Sequence, residues 1–323
     1  MKKFDINEFQ RLSGASSKRL RHDPGQALLE KTPSASLTPE QQTTQFFNDL
    51  QGDWFGNKGW NIIAVPSQGS TPISKGDFKL LVAPYAETLS FIDAGAPARN
   101  RGGSVDQFVA ALKYQQRVFN RDTGEGLHVE NGMFMNLSEI VNNNNQNQPL
   151  PEYSVARSGT IPHGDSIMLL SKLPLTEAGA PDIPDISTLP PDIGSPAPLG
   201  YLDPYLVPNP EINVSNPNAN LRRDLELQAG EGFEILQTQT LILDSDNAGA
   251  INNIPFIVHH ANATRMQAVF WLEKVRNNNT GQEFDQLQYT QIIDLAFHLK
   301  FGQDDPTNLI TWPHVTINTM VKQ

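Results

Sequence analysis

Histidine is the residue type on which chemistry in this chain would turn, because its 323 residues include seven His and six Met but no Cys. Without cysteine there is no disulfide, thiolate metal site, iron–sulfur cluster or cysteine nucleophile. His314 stands in Trp312-Pro313-His314-Val315-Thr316-Ile317-Asn318, an alternating run near the C-terminus, and shares a strand face with Thr316 and Asn318. No carboxylate cage accompanies it, so a bare Zn2+ or Fe2+ would lack ligands. A haem iron needs only one imidazole, since the porphyrin supplies four nitrogens. The plainer role for a lone strand His is that of a satisfied polar residue. His128 and Glu130 share a face and read as a hydrogen-bonded pair. His163 sits in an Ile-Pro-His-Gly-Asp turn, where capping is the plainer role. His259 and His260 would point to opposite faces of a strand, His298 alternates away from the Leu295 face, and His22 lies in a polar stretch.

Other catalytic signatures are missing from the sequence, which has no G-x-S-x-G, H-E-x-x-H or phosphate-cradling Walker loop. Asn100-Arg101-Gly102-Gly103 places a cation beside a Gly turn; it reads either as an anion contact or as an ordinary loop. A net charge of −11 and a pI near 5.1 argue against a nucleic-acid face, which needs a basic surface. No apolar stretch is long enough to span a membrane. The opening MKKFDINEFQ has no apolar run behind it, so it is not a secretory signal, and the expected location is the cytoplasm.

These residues need elements to position them. Residues 1–40 read as a polar, flexible tail carrying a basic cluster (Lys2, Lys3, Arg11, Lys18, Arg19, Arg21), either a solvated arm or a contact for an anionic partner. Thr38-Pro39-Glu40-Gln41 has capping-box spacing and starts a short helix that turns Phe46, Phe47 and Leu50 inward. Beyond Gly52 the pattern is that of strands: Gly59–Pro66, Phe78–Phe91 with Pro84 marking a bulge or edge, Tyr114–Asn120, Leu127–Val141, Ser166–Leu173, Phe233–Leu243, Ile254–His259, Met266–Val275, Leu287–Phe301 and Leu309–Val321. In the run from Leu287, residues Tyr289, Gln291, Ile293, Leu295 and Phe297 share one face. Residues 174–232 break the rhythm. They are rich in Pro, Asp and Asn, so they make no central strand and read as an insertion packed over the rest through Tyr201, Leu202, Tyr205 and Leu206, a surface loop or a lid.

Three motifs together resemble the nitrobindin-like haem-binding β-barrels, a fatty-acid-binding-protein-like calycin family. They are Gly52-Asp53-Trp54-Phe55-Gly56-Asn57-Lys58-Gly59-Trp60, Leu127-His128-Val129-Glu130-Asn131-Gly132 and the His-bearing terminal strand Trp312–Lys322. The resemblance implies a ten-stranded barrel that holds haem b through His314, leaves the distal side open and acts on nitric oxide, peroxynitrite or peroxides. It makes Trp54, His128, Met133 and Phe297 further cofactor-binding candidates, with Phe78, Leu80, Phe91, Phe134 and Ile293 as apolar wall.

The expectations are therefore these. The fold is all-β: a closed antiparallel calycin-type barrel of about ten strands with a short N-terminal helix and a long Pro-rich insertion. Residues 41–323 form one barrel domain, interrupted by 174–232. The function is haem binding, with a haem-dependent isomerase or peroxidase-like activity; the alternatives are a haem-free calycin carrying an apolar small molecule such as a fatty acid, and an interaction module docking through its tail and acidic insertion. The partner is a small molecule in the barrel interior, not a nucleic acid.

Overall fold

A computed structural model describes residues 37–69, 76–100, 105–142 and 151–323. Expectations for 1–36, for Arg101-Gly102-Gly103 and for the Asn/Gln run at 143–148 lie outside the described residues. Helix α1 (Pro39–Leu50) begins with the reciprocal cap its sequence announces: Thr38 Oγ1 accepts from the Gln41 amide and the Gln41 side chain accepts from the Thr38 amide.

Among the described residues thirteen strands make one antiparallel sheet that curls into a closed barrel of ten. The barrel strands are β1 (Gly52–Pro66), β2 (Phe78–Asp93), β4 (Val105–Asn120), β5 (Gly126–Asn142), β6 (Val155–Ile161), β7 (Asp165–Ser171), β9 (Phe233–Asp244), β11 (Asn262–Asn277), β12 (Glu283–Leu299) and β13 (Leu309–Lys322). Three short strands are additional: β3 (Ala98–Arg99), β8 (Leu175–Ala178) and β10 (Ala250–Asn253). The cylinder closes where Leu170 of β7 meets Asp244 of β9, and β8 continues along β9 from Leu175 opposite Thr240. Closure of this kind leaves few free edges, and the barrel fits a calycin-type fold.

Alternation sorts the side chains. Inward-facing Trp54, Leu89, Phe91, Phe134, Phe270, Leu287 and Met320 pack with Phe46, Phe47 and Leu50, so α1 plugs one end of the cylinder. Trp54 Nε1 donates to Leu50 O at 2.8 Å across that plug. A second cluster sets outward-facing Ile62, Trp271, Val315 and Ile317 against Ile183, Tyr205, Val214 and Leu221 of the segment between β8 and β9. That segment carries a 3-10 turn (Asp203–Leu206) and helix α2 (Asn218–Gly230). Tyr205 is fully buried, whereas Leu206, expected to pack inward, is 61% exposed. Helix α2 lies on a polar strip of outer wall: Thr290 Oγ1 donates to Asn218 Oδ1 at 2.6 Å and Thr319 Oγ1 to Asp224 Oδ2 at 2.9 Å.

One expectation departs for a local reason, and that for Pro84 is met as an edge rather than a bulge. Ile254–His259, expected as a strand, falls on the short helix α3 (Pro255–His260) and its cap Ile254, because Pro255 fits a first helical turn and the run does not alternate. Pro84 lies within β2 without a bulge of its own; β4 stops at Asn120 opposite Tyr85, so the ladder asks for no donor at residue 84.

Candidate functional site

The inward-facing side chains form layers. Above the apolar plug lies a polar layer that is buried and fully engaged. Arg157 on β6 is 2% exposed and is the one buried Lys or Arg among the described residues. Its Nη2 donates to Glu130 Oε1 at 2.9 Å, its Nη1 to Gln291 Oε1 at 2.5 Å and its Nε to the Tyr114 hydroxyl at 3.2 Å. The guanidinium lies over the rings of Tyr114, Phe134 and Phe270. Tyr114 also donates to Glu130. Gly159 makes this possible, since a Cβ there would overlap the Tyr114 hydroxyl and the Glu130 carboxylate. Burial pushes the Glu130 carboxyl up, but Arg157, His128 and Tyr114 outweigh it and hold its pKa at about 2.

Across the barrel, Glu87 on β2 accepts from Gln116 Nε2 at 2.7 Å, Tyr289 Oη at 2.5 Å and Asn318 Nδ2 at 2.9 Å. Burial raises the Glu87 carboxyl, and these three donors offset part of the rise. Tyr85 completes the group, its hydroxyl 2.7 Å from that of Tyr289. Between the two networks is a cavity with about 10 Å3 of room for the centre of a water molecule, lined by Gln116, Arg157, Tyr289 and Gln291 among others. That space takes about one water, where a drug-sized ligand needs roughly 300 Å3 or more.

Above this layer the inward-facing residues change character. His128 on β5, Ile161 on β6, Ile251 on β10, Ile293 on β12 and His314 and Thr316 on β13 continue the inward parity, yet all are partly exposed. This is the mouth of the barrel, partly open here and covered further along β12 and β13, where Leu295, Phe297 and Trp312 are buried with Phe78 and Tyr201. His314 Nε2 lies 2.8 Å from Asn61 Oδ1 on β1. His128 Nε2 is 3.5 Å from Glu130 Oε2, and its ring centroid is 5.2 Å from that of His163.

The other candidates are scattered. Trp54 is buried in the plug at the opposite end. Phe297 faces inward and stacks on Trp312 at 5.0 Å, beyond His314. Met133 is corrected: Gly132 and Phe134 flank it in the alternation and Phe134 faces the core, so Met133 points outward and is 43% exposed. Leu80, paired with Ala64, likewise lies on the outer face, and Phe78 packs its ring on Tyr201, Tyr205 and Trp312. His298 is buried at a bulge with positive φ, its Nε2 2.9 Å from Asp77 O. Reading the sequence missed Arg157, Tyr114 and Glu87, whose roles depend on partners across the barrel.

Haem b tests differently at the two levels. The centre does not fit a macrocycle, because side chains occupy it. The mouth fits one in kind, with a partly exposed imidazole beside Ile161, Ile251 and Ile293, but the Nε2 that would meet iron is bonded to Asn61. Among the described residues no group of three or more His, Asp or Glu is placed to hold a bare metal ion, and no helix is long and apolar enough to cross a membrane.

No family model matches the chain, and no curated protein matches it. Nine chains of solved structures do. One is the crystal structure of Rv2717c from M. tuberculosis, 13% identical with a TM-score of 0.37, over 89% of this chain and 99% of that one. A likeness that remote carries no argument, and the fold assignment rests on the strand pairing itself.

Proposed function

We propose that the protein is a ligand-binding barrel whose small-molecule occupant sits at the mouth, above the polar layer, and not at the barrel centre. One observation supports this above others: Ile293, His314 and Thr316 point into the barrel yet stay partly exposed, while Tyr289 and Asn318, one layer deeper on the same strands, are buried. An inward surface that remains open and sets isoleucines beside a few polar groups is the usual form of a small-molecule site. The test is uptake of N-phenyl-1-naphthylamine, a neutral apolar fluorophore. Ile293→Trp, which fills the mouth, abolishes its fluorescence gain; unchanged uptake by that variant sinks the reading.

A second reading, haem b on His314, draws on the placement of that ring on the last strand facing the mouth. His314 would hold the iron after releasing Asn61, with Ile161, Ile251 and Ile293 against the macrocycle. Bound haem would supply an open coordination position for a diatomic or peroxide ligand. Titration with hemin decides: a Soret band present in the wild type and lost in His314→Ala supports it, and no band in the wild type removes it.

A further inference from the structure

Two buried polar atoms below the mouth have no hydrogen-bond partner: Thr316 Oγ1 and Gln116 Oε1. Thr316 lies opposite Asn61 on one side and Gln291 on the other, at the floor of the mouth. Gln116 is one layer deeper, 5% exposed, and lines the cavity together with Gln291. Its NH2 is given to Glu87, so the free end is its oxygen, an acceptor that calls for a donor. Buried polar atoms are normally satisfied, and one left open beneath the mouth is a place for a ligand's own polar group.

The charged and titratable groups around these atoms are already engaged: of the imidazoles at the mouth, His314 lies against Asn61 and His128 against Glu130. Arg157 spends its guanidinium on Glu130, Gln291 and Tyr114. Glu87 is the other buried acid of the layer, and it brings no positive charge in either protonation state. A carboxylate arriving here would be an unpaired anion in a low-dielectric site beside Glu130, and it could only accept hydrogen bonds. A hydroxyl adds no charge and both donates and accepts.

We propose that the occupant is an apolar alcohol, its hydroxyl seated at Thr316 and directed toward Gln116, and that the site discriminates against the matching fatty acid. The inference rests on the mouth reading above.

The experiment is displacement of N-phenyl-1-naphthylamine by tetradecanol and by tetradecanoate at about pH 8, where the acid is ionised. The alcohol is expected to displace the fluorophore at concentrations at least about ten-fold lower than the acid, the scale of one charge left unpaired against one hydrogen bond gained. Thr316→Val should weaken the alcohol by about five-fold and leave the acid unchanged, and Thr316→Ser, which keeps the hydroxyl, should restore it. Equal or tighter binding of the acid overturns the alcohol inference and leaves the mouth reading standing. So does a fluorophore that binds and is displaced by neither. A fluorophore whose uptake is indifferent to Ile293→Trp overturns the mouth reading instead.

Discussion

His314 on the last strand and Asn61 on the first are joined by a 2.8 Å hydrogen bond through Nε2, so the imidazole that faces the mouth is held by its neighbour strand. Freeing that nitrogen should make it a better ligand for a metal centre. Asn61→Leu is therefore expected to bind hemin about five-fold more tightly than the wild type, the worth of one hydrogen bond no longer exchanged. A Soret titration reads this, and equal affinity in the two proteins would mean that the ring does not ligate through Nε2.

Arg157 is enclosed with its counter-charge. Replacing it by Met strands the Glu130 carboxylate and should cost about 3–5 kcal/mol of stability. The double variant Arg157→Met with Glu130→Gln should recover at least half of that, because no lone charge remains buried. Urea denaturation of the two proteins checks both halves of the expectation.

Glu273 lies beneath α2, 1% exposed, with Oε2 accepting from Gln286 Nε2 at 2.6 Å and Oε1 unpartnered. Burial raises its pKa to about 8. Between the unfolded value of about 4.3 and that figure the native state holds a proton the unfolded chain has released. The Glu273 contribution is therefore most favourable below the unfolded value and declines as pH rises, by at most about 1.4 kcal/mol per unit, until it levels off above about 8. Glu273→Gln should remove that slope. The gap between variant and wild type in thermal melts should widen from acid to pH 8, and parallel curves would contradict the assignment.

Trp54 belongs to the plug and not to the mouth. Trp54→Ala should cost about 3–5 kcal/mol through the void it leaves. Fluorophore affinity of the protein that stays folded should not change. A selective loss of binding without loss of stability would place Trp54 at the ligand after all.

The barrel was legible because its walls are periodic. The run from Leu287 to Phe297 alternates cleanly, and its odd-numbered residues do face inward. The same rule hid β6. Val155–Ile161 contains Arg157, Ser158 and Gly159, residues that look like loop until the register places Arg157 opposite Phe134 and beside Glu130. Helix α3 deceived in the other direction, since Ile254, Phe256, Ile257 and Val258 carry strand-like residue types into a short helix and its cap. Of the site, His314 and the His128–Glu130 pair could be found by parity alone. Asn61, Thr316 and Gln116 could not, because nothing in their local sequence says which polar atoms end up paired.

Ten staves held by a hoop fastened at one rivet give way there first. Among the described residues Leu170 and Asp244 are the one ladder pair between β7 and β9, and Asp244 is clasped there by Arg265 and Gln267. Amide protons flanking that seam should exchange with solvent ahead of those between β11 and β12, whose pairing runs the full height of the wall.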